Sequence, residues 1–573
     1  MGPVLIELCP NRLLLDPNFD GYKLSLQEIR SNKLELTKQV DRILLNSNQY
    51  TLLHAKLYGL HNHLIGDPFD ETGSVYFVDV DWNICKTYID PFTEDLIQPI
   101  TVWQIPRDST RKVGDYNVSL KFVNKDIAVI ADGTGFMHIV NTDCRNEDNI
   151  FTLLFSDKVI GNDEGFVLLD AVYKVGESQK EELHVLLINV KQDNLEERFS
   201  SILHWISFSK STEKCWQQEA IRQLKTVGDI QYAALQRDCI SVYVVSDNGC
   251  NFILNSDNPI LTENKDINTD NAIKTYQWKQ DIEEITIRFL LESIDKELIH
   301  VDTKPTEIDI KYNGNNLLSG ELHQRVDSES TTWTIDKEYL EVIINKSETG
   351  LMWPEVVKGN QEGEYVLDSC IVEEVHERLA HLCSGNEAMP QSGSTFNSQQ
   401  VEECDFENDK AVTFERLNGM TNNITHKINL GSHQILLTAN LNINLSPALG
   451  IRHDVDICLW QPQGSGDDFS VTHEGTLLAF GYVQASKQNR KFTVCPPDMS
   501  YSAICESSRH LFIYRQKKPV SSCELRNRTT GRRIQNIAQQ QVVNLATEEV
   551  IGIYATNTTL FLLSETSVIA LRM

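Results

Sequence analysis

Four stretches of this chain share one layout: an apolar run, a short turn rich in Asp, Asn, Gly, Ser or Thr, and a second apolar run. They are Ser74–Tyr88, Ile127–Val140 with its Asp132-Gly turn, Ile240–Leu254 with Asp247-Asn-Gly, and Ile551–Leu571. Such turns join antiparallel strands, so each stretch reads as a hairpin. Hairpins recurring about every 40–60 residues are the signature of propeller blades, each forming the central pair of a four-stranded blade. The Trp-Asp dipeptide of regular WD repeats is absent, which makes the repeat degenerate. Further apolar runs fill the intervals: Phe166–Val175, His184–Val190 and Ile202–Phe208, then Ile435–Thr438, Val455–Trp460, Leu477–Val483, Lys491–Cys495 and Leu511–Tyr514.

Between Tyr276 and Pro354 the rhythm tightens. Tyr276–Gln280, Ile285–Leu291, Ile308–Tyr312, Gly320–Arg325, Thr331–Ile335 and Leu340–Ile344 are short strand-like runs at roughly ten-residue spacing, which reads as an antiparallel sandwich. The flank before it has length for about four or five blades and the flank after it for about three. Neither makes a comfortable ring alone, because an open ring exposes strand edges. Together they make a single propeller of seven or so blades, interrupted by the sandwich, with the strand at Tyr22–Leu26 pairing to C-terminal strands to close it. The chain is therefore read as all-β: residues 1–270 the first part of the propeller, 271–368 the sandwich, 369–411 a helix and acidic linker, and 412–573 the second part. The helix is Ser369–Ser384, with Ile371, Val375, Leu379 and Leu382 on one face, and the linker carries Glu402-Glu-Cys-Asp-Phe-Glu407.

The sandwich also carries a set of residues at matched positions: Tyr276-x-Trp278-x-Gln280, the strand with Gly320-Glu321-Leu322, Trp333 and Trp353. This pattern resembles the CS domain of the nuclear distribution protein C family, which is similar to that of small cochaperones of the ninety-kilodalton heat-shock chaperone. The flanks resemble the same family at Leu14–Leu26, Arg452–Asp456, Leu459–Pro462, Gly481–Lys487, Cys495-Pro-Pro, Ser502–Glu506 and Phe512–Gln516, and less so across residues 90–240. The resemblance implies association with the heat-shock chaperone system and its clients, some of them propellers. Independently of it, tryptophans in a small sandwich are expected first as core, since each can bury on the order of 150–250 Å².

Composition narrows the function classes. The 573 residues carry a formal net charge of −29 and a pI near 4.9, a surface that repels nucleic-acid backbone and anionic lipid. Thirteen cysteines are scattered from Cys9 to Cys523 without C-x-x-C or zinc-ligand spacing, so free thiols in a reducing compartment are expected. No secretory signal, myristoylation pattern or long apolar run is visible. The expected address is cytoplasmic, with the nucleus as a second location, and the Asn-x-Ser/Thr sites such as Asn117-Val-Ser119 are expected to be unused.

Catalytic and cofactor motifs are missing. There is no phosphate-binding glycine loop and no Gly-x-Ser-x-Gly elbow. His376 and His381 are spaced i, i+5, about 140° apart on a helix, whereas a zincin needs i, i+4. His54, His61 and His63 cluster and a metal there is conceivable, but ordinary hydrogen-bonded histidines are the favoured reading. Asp79-x-Asp81-x-Asn83 mimics the start of a calcium loop but has Ile84 where Gly is needed, and reads better as a hairpin turn. One basic stretch departs from the acidity: Arg515, Lys517, Lys518, Arg526, Arg528, Arg532 and Arg533. It is either a docking patch for an acidic partner, or a weak nuclear-import signal, or, the favoured reading, a blade edge guarded by charge.

These observations lead to a non-enzymatic cochaperone or adaptor, without metal or cofactor, that meets protein partners through the sandwich and the propeller. No nucleic-acid or membrane partner is expected. The alternatives are a pure scaffold whose sandwich packs on its own propeller, and an enzyme using the propeller channel.

Overall fold

The computed structural model describes residues 2–45, 51–260, 276–365 and 412–573, with short internal interruptions of which 520–535 is the longest. The helix expected at 369–384 and the linker at 385–411 lie outside the described residues. The chain divides into two compact units, Met1–Ile260 with Ser398–Met573, and Leu261–Asn397.

The first unit is a propeller of seven sheets. Blade 1 is Ile65–Gly66, Val75–Val78, Asn83–Thr87 and Ile100–Gln104; blade 2 is Ser119–Phe122, Ile127–Ala131, Phe136–Asn141 and Thr152–Lys158. Blade 3 is Val167–Val175, Glu181–Gln192, Phe199–Lys210 and Trp216–Thr226, with Asn251–Asn255 added outside. Blade 4 is composite: Ile230–Leu235 and Ser241–Ser246 come from before the inserted unit, Val412–Asn418 and Asn423–Gly431 from after it, so the hairpin expected at Ile240–Leu254 does not form, its first strand pairing within blade 4 and its second with Trp216–Thr226 of blade 3. Blade 5 is Ile435–Ala439, Ala448–His453, Asp456–Ser465 and Asp468–Leu477; blade 6 is Arg490–Val494, Tyr501–Glu506, His510–Pro519 and Asn536–Asn544. Blade 7 is Gly552–Ala555, Thr559–Leu563 and Ser567–Arg572, completed by Ser31–Glu35 from the other end of the chain.

Seven hydrophobic cores hold the seven sheets, one between each blade and the next. Tyr76, Trp82 and Phe122 join blades 1 and 2, Trp205, Val242 and Leu417 join blades 3 and 4, and Phe77, Phe561 and Val568 join blade 7 back to blade 1. Most inner strands are buried on both faces. Val75, Tyr76, Phe77 and Val78 alternate between two cores, 75 and 77 in one and 76 and 78 in the other. That is why the sequence shows continuous apolar runs rather than alternation. Short polar side chains tie the hairpin turns: Asp79 Oδ1 accepts from the backbone N–H groups of Asp81 and Asn83, both at 2.9 Å, and Asp132 Oδ1 from that of Thr134 at 2.7 Å. The Asp79 motif is thus a turn, as its spacing suggested.

The expected closing strand is corrected in detail. Lys23–Leu24 does pair with a C-terminal strand, but parallel, as an extra strand outside blade 6. Antiparallel pairing of Ser31–Glu35 with Ser567–Leu571 closes the ring. The chain ahead of it runs round the rim, with Val4–Leu5 parallel to blade 4, the 3-10 turn Arg12–Leu14 beside blade 5, then Lys23–Leu24 on blade 6.

The second unit is a sandwich. One sheet has the order Val326–Asp336, Tyr339–Lys346, Glu284–Leu290, Tyr276–Gln280, Gly363–Tyr365, the last pair parallel; the other is Ile299–Lys304, Glu307–Tyr312 and Asn315–Glu321. Ile285, Ile287, Phe289, Ile310, Leu340, Val342 and Ile344 fill the core. The terminal strand Gly363–Tyr365 was not foreseen. Gly363 permits it, since a Cβ there would lie 2.7 Å from the Tyr276 ring.

Candidate functional site

In the sandwich the strand Tyr276–Gln280 alternates buried and outward residues, which puts Tyr276, Trp278 and Gln280 on the inner face. The two aromatics are core. Gln280 is a clamp: its Nε2 donates to the Trp353 carbonyl at 2.7 Å, and its Oε1 accepts from the Trp353 N–H at 2.8 Å. A side-chain amide thus supplies both bonds that a neighbouring strand would otherwise supply, and anchors the segment carrying Trp353. Buried Lys346 completes the cluster, its Nζ donating to Gln280 Oε1 at 2.9 Å and to the Asp281 carbonyl at 2.7 Å. Burial lowers this ammonium's pKa below the usual lysine range, with the Asp281 carboxylate opposing. Trp353 is core, beside the His323 ring. The signature is thus mostly an internal polar and aromatic lock.

Two signature residues lie outside this lock. Glu321 is exposed and pairs with Lys358. Trp333, expected to be fully buried in mid-strand, is only half-buried. It points to the core side opposite Val342, but it sits on Val326–Asp336, which ends its sheet, and one face meets the Lys296 ammonium at 5.7 Å. Exposed Leu290, Leu298, Ile335 and Tyr339 lie on this strand, its hairpin partner and the adjoining strand and turn. The outer side of the same sheet carries Thr286, itself buried, and half-buried Ile343 in register, with the Arg288–Glu341 ion pair at 2.9 Å beside them. The three-stranded sheet turns a charged face outward: Asp302, Lys304, Glu307, Asp309 and Lys311.

In the propeller, a cavity of about 720 Å³ at the axis is lined by residues of all seven blades. Its charged groups are Asp67, Asp70, Lys121 and Arg237. Asp67 pairs with buried Arg145, Asp70 accepts from the Ser74 hydroxyl, Lys121 lies 3.0 Å from Asp170, and Arg237 donates to the Leu445 carbonyl at 2.9 Å. Each is engaged within the fold. Among the described residues no group of three His, Cys, Asp or Glu is placed to hold a metal. His61 and His63 meet edge to face at 4.7 Å, and His54 lies in the first turn of Leu52–Gly59, its N–H donating at 3.2 Å to the hydroxyl of the N-cap Thr51, which also meets its Nδ1 at 2.7 Å. Six of the described cysteines are buried free thiols, and no helix of the described residues is long and apolar enough to cross a membrane.

The basic stretch is divided. Arg515 Nε donates to Gln541 Oε1 at 2.7 Å; Lys517 pairs with Asp16 of the N-terminal arm and lies 5.6 Å from the Phe19 ring; Lys518 is exposed. Arg526, Arg528, Arg532 and Arg533 lie outside the described residues. Lys517 therefore fastens the arm, a role its sequence neighbours gave no sign of.

A β-propeller interrupted by a compact sandwich, with that sandwich matching the CS domain family over residues 274–346, defines the class: a CS-domain protein, whose CS domain is a protein–protein interaction module. The chain belongs to the family of NudC domain-containing protein 1. It is 34% identical to that protein of Mus musculus over 576 residues, covering 98% of this chain and 97% of the relative, and 34% identical to that of Xenopus tropicalis over 575 residues, with 97% and 96% covered. A solved nuclear movement protein from E. cuniculi is 28% identical over 14% of this chain and 98% of its own, at a TM-score of 0.14. The propeller itself rests on the strand pairing and the seven inter-blade cores described above.

Proposed function

We propose that the chain is a non-enzymatic cochaperone-type adaptor. Its CS domain engages one protein partner and its propeller another, within the ninety-kilodalton heat-shock chaperone system and its clients, in the cytoplasm and the nucleus. The supporting observation is the division of labour in the sandwich. Tyr276, Trp278, Gln280 and Trp353 are spent inside, whereas the sheet edge at half-buried Trp333, with exposed Ile335 and Tyr339 beside it, remains open to a partner. Family membership supports an interaction role, and the engaged charges of the axial cavity give no converged acid, base and nucleophile for a hydrolase. Lys518 with the arginines that follow it would serve an acidic partner or the import machinery.

The test is direct binding of the purified chaperone to the isolated 271–368 fragment and to the whole chain. Binding by both supports the adaptor reading. Binding by neither, with the fragment folded, favours a scaffold whose CS domain no longer meets the chaperone.

A further inference from the structure

The rim of the propeller receives added strands in a consistent way. Val4–Leu5 lies parallel to the outermost strand of blade 4, and the Ile6 N–H continues the ladder to the Lys427 carbonyl at 3.0 Å. Lys23–Leu24 does the same on blade 6, the Ser25 N–H donating to the Gln540 carbonyl at 2.8 Å. Other edges are guarded by different means. Blade 5 is met by Asn11, whose N–H donates to His473 Nδ1 at 3.0 Å; blade 7 ends in the charged strand Ser31–Glu35, with Lys33 and Glu35 paired at 2.9 Å. Blade 1 is capped where the Phe151 N–H reaches the Val102 carbonyl at 2.8 Å, and the short added strand of blade 3 is pinned at Asn255 to the Gly419 carbonyl at 2.7 Å.

Blade 2 has no such guard among the described residues. Its outermost strand, Thr152–Lys158, is seven residues long, and every residue but Phe155 is exposed. The surface it shows is apolar: Leu153 is 47% and Leu154 39% exposed, and Ile150 just before it 71%. It has no proline, and its one lysine is the last residue. An uncovered edge of this kind is what soluble proteins normally blunt. The exposed charges described beside it are Asp143 and Asp157 against Lys158, in a chain of net charge −29. Arg145 is buried against Asp67, and Lys158 lies 5.1 Å from the Phe136 ring.

We infer that the edge of blade 2 is a strand-addition site for an extended segment of a partner protein that alternates apolar and basic residues. Backbone hydrogen bonds to Thr152–Lys158 supply the pairing, Leu153 and Leu154 supply apolar contact, and the acidic surroundings select basic over acidic segments. The net charge of −29 opposes a second copy of this chain in the same place. This site is separate from the CS domain and does not depend on the chaperone reading.

The test uses the full chain and a fluorescein-labelled synthetic peptide in which valine alternates with lysine and arginine. An analogue with glutamate in place of the basic residues and a proline-interrupted basic peptide serve as controls. The basic peptide is expected to bind, the two controls at least ten-fold more weakly, and amide exchange in 152–158 to slow on binding. The double variant Leu153→Lys, Leu154→Lys changes only exposed side chains, should melt as the unmodified chain does, and should weaken binding at least ten-fold. Equal binding of the proline-interrupted peptide would reduce the effect to charge alone and overturn the proposal. So would unchanged binding by the double variant. Concentration-dependent dimerisation in sedimentation, abolished by the same two substitutions, would assign the edge to a second copy instead.

Discussion

The propeller and the CS sandwich are both made of short antiparallel strands, yet they solve burial differently. In the propeller most inner strands are covered on both sides, and each blade completes its neighbour's core. In the sandwich each strand buries one face and turns the other outward, and one core serves the whole unit. The ring is therefore a cooperative chain of interfaces with its ends fastened together, whereas the sandwich carries its whole core within itself. A break anywhere in the ring should propagate, and damage to the sandwich should stay local.

Splitting the ring gives the largest expected effect. Residues 1–260 alone hold half of blade 4 and lack the partner of Ser31–Glu35; residues 412–573 lack the other half of blade 4 and the closing strand. Each fragment exposes unpaired edges and should aggregate or stay unfolded, while co-expression restores a soluble, co-purifying pair. Two separately soluble fragments that melt cooperatively and ignore each other would end the single-ring account. Joining 260 directly to 412 with a short linker should fail. Asn258 is fixed to the turn beyond Asn418, through the Met420 carbonyl and Asn422, so the linker must run back along Val412–Asn418. The six residue steps of that strand span about 20 Å.

A single side chain tests the same cooperativity on a smaller scale. Trp205 is fully buried between blades 3 and 4, its Nε1 donating to His184 Nδ1 at 3.2 Å and its ring facing the Arg222 guanidinium at 4.6 Å. Gly419 packs on it so closely that a Cβ would lie 2.6 Å from the indole. Trp205→Ala should cost about 3–5 kcal/mol, read as a lowered urea midpoint for the propeller with the sandwich transition unmoved. A joint fall of both transitions would couple the two units.

What the sequence made legible follows from this contrast. Continuous apolar runs with Asp-rich turns are a strong signal because two-sided burial demands them, so the hairpins of blades 1, 2 and 7 stand out. Blade 4 is hard to read, since its two halves lie 165 residues apart between Ser246 and Val412, and hydrophobic pattern alone cannot link them. The N-terminal arm was legible only at Tyr22–Leu26, whose pairing with a C-terminal strand was expected; the pairing of Val4–Leu5 leaves no periodicity, and Lys517 looked like part of a basic patch because its partner, Asp16, lies far away in sequence. In the sandwich the positions of Tyr276 and Trp278 were readable as core. The role of Gln280 was not, because a side chain that replaces a strand has no signature beyond its alternation with the aromatics.

Buried histidines separate the two units by pH. In the propeller, burial holds His61 down at about 4, His63 at about 2, and His184 and His204 at about 3. The described histidines of the sandwich, His300 and His323, are not buried. Below an unfolded value near 6.5 the unfolded propeller binds protons that the folded one refuses, so its stability falls as pH drops through that value. From pH 7 to 6 the four together should remove about 2–3 kcal/mol, seen as a lower melting temperature of the propeller with the isolated 271–368 fragment unchanged. The carboxyls of Asp115, Asp132 and Asp456, raised by burial, act in the opposite sense and favour the folded ring at lower pH. An unchanged propeller melt between pH 7 and 6 would mean that these imidazoles are more accessible than their packing indicates.

The smallest effect is expected at Trp333, and it bears most directly on function. The ring is half-buried at a sheet edge, so truncation removes on the order of 100 Å² of packing rather than a full indole. At about 25 cal/mol per Å² that is about 2–3 kcal/mol as an upper bound, with relaxation of an open edge bringing it to about 1–2. Trp278→Ala, in the closed core, should cost about 3–5 kcal/mol in the same fragment. Urea melts of the 271–368 fragment carrying each change, beside chaperone binding by the Trp333→Ala fragment, decide what the edge is for. If Trp333→Ala melts near the unmodified fragment and loses the partner, the edge is a docking surface. If it destabilises as much as Trp278→Ala, Trp333 is core, and the partner must be sought on the charged face of the three-stranded sheet at Asp302, Lys304 and Glu307.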